Sequence, residues 1–308
     1  MKHYLSFDIG GTQIKFGILT EKGNIIEKSK IDTNNNGEQI INDIVTVKEK
    51  FASRYNLQGV AFSMPGFVNV ETGYLKTGGS ISDFYGINFK EIMQEKLGLP
   101  VELENDVNCV AFSEKWHGNA KDCNNFICMT IGTGIGGALC INGQISRGHS
   151  YMAGEFGYMP THNIFSHGTN KSACTLSATG SVKQGLISNY CEQKKVDEKK
   201  LSGIDIYQLA DKGDLIASKV INEFYQSIAV GLYNLTFILN PEKILIGGAI
   251  SNRTEIFPAI NRAFQSIITE HPDLKGFAVK DLVSIESTHF KNESGLVGAL
   301  YHFLQMQK

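Results

Sequence analysis

The stretch Ile131-Gly132-Thr133-Gly134-Ile135-Gly136-Gly137-Ala138 decides how the rest of the chain is read. An apolar run over 126–129 leads into it and a second, over 138–141, leaves it before Asn142-Gly143 turns the chain. That is the pattern of strand, glycine turn and strand. Glycines in such a turn let backbone N–H groups come close to a ligand, as a phosphate requires. The stretch also fits G-x-G-x-x-G, but a dinucleotide-binding fold needs a helix directly after the turn. A strand follows here, so that reading is rejected.

A second copy lies near the N-terminus. Phe7-Asp8-Ile9-Gly10-Gly11-Thr12-Gln13 follows an apolar lead-in and runs into a strand ending near Leu19, ahead of the turn at Lys22-Gly23-Asn24. Asp8-Ile9-Gly10-Gly11-Thr12 lies over Thr130-Ile131-Gly132-Thr133-Gly134, and Leu19 over Ile141, at an offset of 122 residues. This offset is too long for a solenoid repeat. It suits two copies of one domain facing each other across a cleft, with the two turns holding a nucleotide's phosphates. One such turn alone would be read as a plain hairpin.

A chain of 308 residues is long enough for two domains with a core each. A net charge of −2 provides no field for nucleic acid or an anionic membrane. The six cysteines, at 109, 123, 128, 140, 174 and 191, include no C-x-x-C pair, and they are read as reduced thiols in a cytoplasmic protein. The sequence contains neither a signal peptide nor an apolar run of membrane-spanning length.

Periodicity orders the elements as three strands (3–7, 13–19, 25–31), a helix (38–55), a strand (59–63), a helix (88–97), a strand (101–104) and a helix from Asn105-Asp106 to about 117. That is an α/β domain. After a hinge over 118–124 the second copy begins. It carries an insertion at about 146–179, helices near 180–193, 205–211 and 215–239, a strand at 244–246, a helix at 254–270 and a strand at 283–286. A last helix, within 292–308, is expected to pack back on the first domain. The expected domains are therefore 1–118 with that helix, and 119–291.

Asp8 ends a strand beside the first glycine turn. A carboxylate next to polyphosphate is repelled unless a cation lies between them, which makes Asp8 the candidate to hold Mg²⁺ through water. Thr12 can donate its hydroxyl to a phosphate oxygen. The plainer alternative is that Asp8 caps a turn.

Five motifs occur in order: Asp8-Ile-Gly-Gly-Thr12, Ser63-Met-Pro-Gly66, Glu104-Asn-Asp-Val-Asn108, Ile131-Gly-Thr-Gly-Ile-Gly-Gly137 and Gly154-Glu-Phe-Gly157. Together they resemble the ROK family of sugar kinases and repressors, within the actin-like ATPase superfamily, over nearly the whole chain. The resemblance implies an α/β fold of two actin-like (ribonuclease H-like) domains with a central cleft, ATP with Mg²⁺, a sugar substrate and a homodimer. Carried over residue by residue, Asp106 matches the catalytic base, Asn105 and Glu155 match ligands of sugar hydroxyls, and Gly66 lets the backbone approach the sugar. Gly10, Gly11 and Thr12, with Gly132, Thr133 and Gly134, match the phosphate turns. Gly247 and Gly248 resemble the superfamily's adenosine motif, although tight strand–helix packing also explains them. Chemistry supports the base assignment, because phosphoryl transfer needs its acceptor hydroxyl aligned and its proton removed. Either Asn105 or Asp106 can also cap the helix.

The chain departs from the family pattern in two places. Where many members carry a zinc-binding histidine and three cysteines, this chain has Tyr158 and, over 166–180, only Cys174. One thiol cannot supply tetrahedral zinc, and His149, His162 and His167 lack characteristic spacings, so no zinc is expected. Gly78-Gly79-Ser80 stands where many family kinases have Pro-Asn, which widens the expected pocket around Gly79. These departures most resemble the zinc-lacking β-glucoside kinases, which act on the 6-hydroxyl of a glucose unit. N-acetylmannosamine kinase and glucokinase are the alternatives. The alternative of another class is a sugar-sensing transcriptional regulator without its DNA-binding domain: such repressors carry a helix-turn-helix ahead of the first strand, and a first strand expected to begin within five residues of Met1 leaves no room for one.

Overall fold

The computed structural model describes all residues except Asn35, Gly168 and Thr169, and all side chains except theirs and those of Ser166 and His167. His167, considered above as a zinc ligand, therefore has its side chain outside the described set.

Three strands open the chain: β1 (His3–Ile9), β2 (Gln13–Thr20) and β3 (Ile25–Asp32). Helix α1 (Gly37–Ala52) precedes β4 (Leu57–Met64). Three two-residue strands, β5 (Val68–Asn69), β6 (Tyr74–Leu75) and β7 (Ile87–Asn88), lead to α2 (Phe89–Leu97), β8 (Val101–Asn105) and α3 (Asp106–His117). The pattern restarts with β9 (Phe126–Ile131), β10 (Ile135–Ile141) and β11 (Gln144–Ser146). Short 3₁₀ turns follow, then α4 (Leu176–Gly180), a π-helical turn (Val182–Ser188), α5 (Asn189–Lys194), α6 (Gly203–Asp211) and α7 (Leu215–Leu239). The chain closes with β12 (Lys243–Gly247), α8 (Ile256–Glu270), α9 (Val279–Leu282), β13 (Ser284–Ser287) and α10 (Ser294–Met306).

Local chemistry explains the helix ends. Asp214 caps α7 by accepting the N–H groups of Ile216 and Ala217, and Asn240, left-handed at φ 43°, ends it ahead of Pro241. Asn36 caps α1, whose Ile40, Ile44, Val47 and Phe51 are buried on one face. Each such side chain contributes roughly 2 kcal/mol of burial.

The chain separates into two compact units. The first comprises Met1–Asp122, Arg147–Ala153 and His289–Lys308; the second comprises Cys123–Ser146 and Gly154–Thr288. Each contains a five-stranded sheet of one design, ordered β3-β2-β1-β4-β8 in the first and β11-β10-β9-β12-β13 in the second. In both, the first three strands are antiparallel and the last two run parallel to the first. This is the duplicated α/β architecture expected from the two glycine turns.

One detail of the expected repeat is corrected. In the first unit Ile9 pairs with Ile14, leaving four turn residues, whereas Ile131 pairs with Ile135, leaving three. The copies therefore slip by one residue after the turn. Leu19, paired with Tyr4, corresponds to Cys140, paired with Phe126, and not to Ile141. Burial agrees, since Leu19 and Cys140 are buried and Ile141 is 41% exposed. A one-residue shift reverses which face a strand residue points to.

In the first unit α10 packs on α3 and on β1, β4 and β8. Gly298 lets the two helices approach, since a Cβ there would overlap the backbone of Cys109.

Candidate active site

In the first unit the parallel strands β1, β4 and β8 end in register. Asp8 stands beside Ser63, and Ser63 beside Glu104. Open α/β sheets bind ligands beyond such carboxyl ends. The Asp8 carboxylate accepts the Ser63 hydroxyl at 2.7 Å and pairs with the Lys15 ammonium at 3.3 Å from the neighbouring strand.

Immediately beyond β8, Asn105 caps α3. Its Oδ1 accepts the N–H groups of Val107 and Asn108, and its Nδ2 donates to the carbonyl of Gly66 and to Asp106 Oδ1, each at 3.0 Å. Asn105 is thus the cap, and Asp106 is the first residue of the helix. Gly66, at φ 88°, packs on the backbone of 77–79, and Gly79, at φ 57°, packs on Pro65. The Tyr85 hydroxyl donates to the Gly79 carbonyl at 3.1 Å. A Cβ at Gly11 would lie 2.6 Å from the Ser80 hydroxyl. The first glycine turn, the 77–80 loop, the turn at Gly66 and the Asn105-Asp106 corner are therefore contiguous. Thr33 closes the glycine turn from outside, donating its hydroxyl to the Gly10 carbonyl at 2.6 Å and its N–H to that of Thr12 at 2.9 Å.

In the second unit β9 and β12 are parallel neighbours with Thr130 beside Gly247, so the turn Gly132-Thr133-Gly134 and Gly247-Gly248 adjoin. Gly248, at φ 87°, packs on the Ile131 backbone, so internal packing already requires its glycine. Gly132 is different. Its N–H is spent within the turn on the Gly134 carbonyl at 3.0 Å, yet an added Cβ would meet no protein atom within 4 Å. The turn is pinned behind by the Val182 N–H to the Gly132 carbonyl (2.9 Å) and by the Ile135 N–H to the Ser177 hydroxyl (3.0 Å).

The turn carrying Glu155 packs directly on that hairpin. Gly154, at φ 94°, abuts the Gly137 carbonyl, and a Cβ on Gly137 would overlap the Phe156 ring. Glu155 is half-buried, and burial raises its carboxyl above the usual glutamate range. Among the described residues no group of three or more His, Cys, Asp or Glu is placed to hold a metal ion. Cys174 is buried and donates its thiol to the Lys171 carbonyl at 3.1 Å.

Sequence reasoning assigned no role to Lys15, Ser63, Ser177 or Arg147. The first two had a findable signal, because two strands flanking Asp8 must place a residue of each beside it. Ser177 and Arg147 act through contacts distant in sequence, for which periodicity offers no sign.

Comparison with known proteins follows the same course. A profile of the ROK family matches residues 4–306. The chain is 37% identical over 301 residues to a beta-glucoside kinase of Listeria monocytogenes, covering 97% of both chains. It is 32% identical over 304 residues to a beta-glucoside kinase of Klebsiella pneumoniae, covering 98% of this chain and 96% of that one. A solved ROK family protein from Streptococcus pneumoniae, in complex with sucrose, superposes with a TM-score of 0.85 at 31% identity, over 99% of both chains.

Proposed function

We propose, on the premise that this chain belongs to the ROK family and is a carbohydrate kinase, that it transfers the γ-phosphoryl group of ATP to the 6-hydroxyl of a β-glucoside or hexose, with Asp106 as base. The observation carrying this reading is the seat of Asp106 at the first position of α3, its carboxylate steadied by the residue that caps the helix. The reaction needs the acceptor oxygen held in line and its proton accepted. A carboxylate on a rigid helix start can do both.

Asn105, Gly66, Gly79 and Glu155 are read as acceptor-binding groups. The half-buried Glu155 carboxylate is suited to accept sugar hydroxyls. The triphosphate is read onto Asp8, Gly10, Gly11 and Thr12 and onto Gly132, Thr133 and Gly134, with Gly247 and Gly248 toward the adenosine. Gly132 supports this, because nothing in the protein's own packing forbids a side chain there. The Asp8 carboxylate, oriented by the Ser63 hydroxyl, supplies the oxygen that would retain Mg²⁺ through water; the Lys15 ammonium at 3.3 Å competes for the same carboxylate and would have to give way to the metal. Bound Mg²⁺ would neutralise charge on the transferring group.

The names of the Listeria and Klebsiella relatives, and the sucrose bound to the Streptococcus protein, favour an acceptor larger than one ring. Six buried, unbridged thiols suit a reducing cytoplasm. A homodimer belongs to the same proposal and is checked by sedimentation.

ADP release measured over glucose, N-acetylmannosamine, N-acetylglucosamine, cellobiose and gentiobiose tests the acceptor. A higher kcat/KM for the disaccharides is expected, and a clear monosaccharide preference would remove the β-glucoside reading. Asp106→Asn should keep sugar binding and lose turnover by orders of magnitude. Near-normal turnover would remove Asp106 from its role.

A further inference from the structure

Glu104 is 1% exposed, a carboxylate buried at the end of β8 directly before the Asn105-Asp106 corner. Its Oε1 accepts the backbone N–H of Asn105 at 2.8 Å and the Asn108 side-chain amide at 3.0 Å. Its Oε2 accepts two donors from Arg147, Nε at 2.8 Å and Nη2 at 2.5 Å. The guanidinium lies over the Phe112 ring of α3, 5.6 Å from its centroid, and within 3.5 Å of His302 Nδ1 on α10. One carboxylate therefore binds both the backbone and the first turn of the helix that presents Asp106, and one arginine balances its charge.

Arg147 also begins the short segment, 147–153, that belongs to the first unit although the strands preceding it belong to the second. The segment closes on itself through the Ala153 N–H to the Arg147 carbonyl at 3.1 Å, and Tyr151 packs on the first unit's core. In sequence it leads straight to Gly154-Glu155. The arginine thus holds the residue directly before two of the groups assigned to the acceptor, Asn105 and Asp106.

We propose that Arg147 is a positioning residue for phosphoryl transfer: by holding Glu104 in its two-sided hydrogen bonding, it fixes the corner that aims Asn105 and Asp106 at the acceptor hydroxyl. This rests on Asp106 being the base. The arrangement needs the planar fork of arginine, because one ammonium cannot present two parallel donors to a single carboxylate oxygen from the same seat. A corner displaced by about 1 Å costs on the order of 100-fold in rate.

The test uses the full chain with cellobiose and glucose as acceptors and four variants: Arg147→Lys, Arg147→Met, the pair Glu104→Gln with Arg147→Met, and Asp106→Asn. The neutral pair removes the buried charge together with its partner, so it separates folding from alignment. Positioning predicts that Arg147→Lys and the neutral pair fold, lose roughly 10- to 100-fold in kcat per folded molecule, raise sugar KM, and hold ATP KM within about twofold of the parent. If Asp106→Asn is inactive while those two variants keep parental kcat and sugar KM, the Arg147 proposal fails alone. Turnover in Asp106→Asn overturns the base assignment and the proposal with it. Unfolding of every Arg147 variant, the neutral pair included, assigns the residue to stability only and overturns positioning.

Discussion

The side-chain nitrogen of Asn105 lies 3.0 Å from the carbonyl oxygen of Gly66, so the cap of α3 also ties down the turn that follows β4. The same nitrogen donates to Asp106. Asn105→Asp separates these duties. Aspartate caps as well as asparagine, but it donates to neither partner and sets a second carboxylate beside Asp106, disfavouring ionisation of both. Thermal melts should show stability within about 1 kcal/mol of the parent, while steady-state assays show at least a roughly tenfold rise in sugar KM and a lower kcat. Asn105→Ala should additionally lose about 1 kcal/mol as the cap disappears. Unchanged sugar KM in Asn105→Asp would dissociate the bridge from acceptor binding.

Gly132 and Gly137 belong to one motif but answer to different forces. At Gly132 a methyl group meets open space; at Gly137 it overlaps the Phe156 ring and the Gly154 carbonyl. Gly132→Ala should fold with a parental melting temperature and raise ATP KM by roughly tenfold or more, because the added methyl competes with the phosphate alone. Gly137→Ala should lower stability by about 1–3 kcal/mol through overpacking. Urea unfolding and nucleotide titration of both variants check the pair. Equal effects on both quantities would remove the phosphate assignment of Gly132.

Most of the fold was legible because its signals are local. The 25 residues of α7 carry their stop in Asn240-Pro241, and both glycine hairpins repeat one pattern of apolar strand, turn and apolar strand. The strands β5, β6 and β7 were not legible, since two residues each are too few to establish a period. The equivalence of Leu19 with Cys140 was missed because a one-residue difference in turn length leaves no mark on composition. At the candidate site, Asp8, Asn105 and Asp106 stood out as polar residues at strand ends. Arg147 did not, because its partner Glu104 lies 43 residues away. Glu104 carries no local sign of its task either, since only its burial and its bonds to Asn105 and Asn108 reveal that its carboxylate organises the corner.

Asp8 and Gly295 form a close contact at the start of α10. A Cβ on Gly295 would overlap the carboxylate of Asp8. Helix propensity alone predicts that Gly295→Ala stabilises by about 1 kcal/mol. The contact predicts instead that Asp8 is pushed from its seat beside Ser63. Gly295→Ala should therefore need more Mg²⁺ to reach half-maximal turnover, with kcat reduced roughly tenfold or more at saturating metal. A Mg²⁺ titration of ADP release checks this. Parental turnover and metal requirement would mean that the helix start yields and Asp8 stays in place.

His302 gives the first unit a pH dependence of definite sign. It is 1% exposed, and burial lowers its pKa below the ordinary histidine value of 6.5. Glu104 and Glu102 oppose that shift, while Arg147 and Lys90 reinforce it. The folded state therefore holds a neutral imidazole at pH values where the unfolded chain has already taken up a proton. Stability from this group is complete above 6.5, declines as pH falls through 6.5 toward the lowered folded value, and is constant below that. One proton limits the slope to about 1.4 kcal/mol per pH unit. Glu114 and Glu155, both raised by burial, contribute with the opposite sign, losing stability as pH climbs from the ordinary glutamate value of 4.5 toward their folded values. Comparing the parent with His302→Gln cancels those carboxylates. Urea unfolding between pH 7.5 and 5 should show the parent losing stability more steeply than the variant below about 6.5, although the variant starts lower from the loss of packing on Phe112. Parallel curves would mean that the imidazole titrates alike in the folded and unfolded chains.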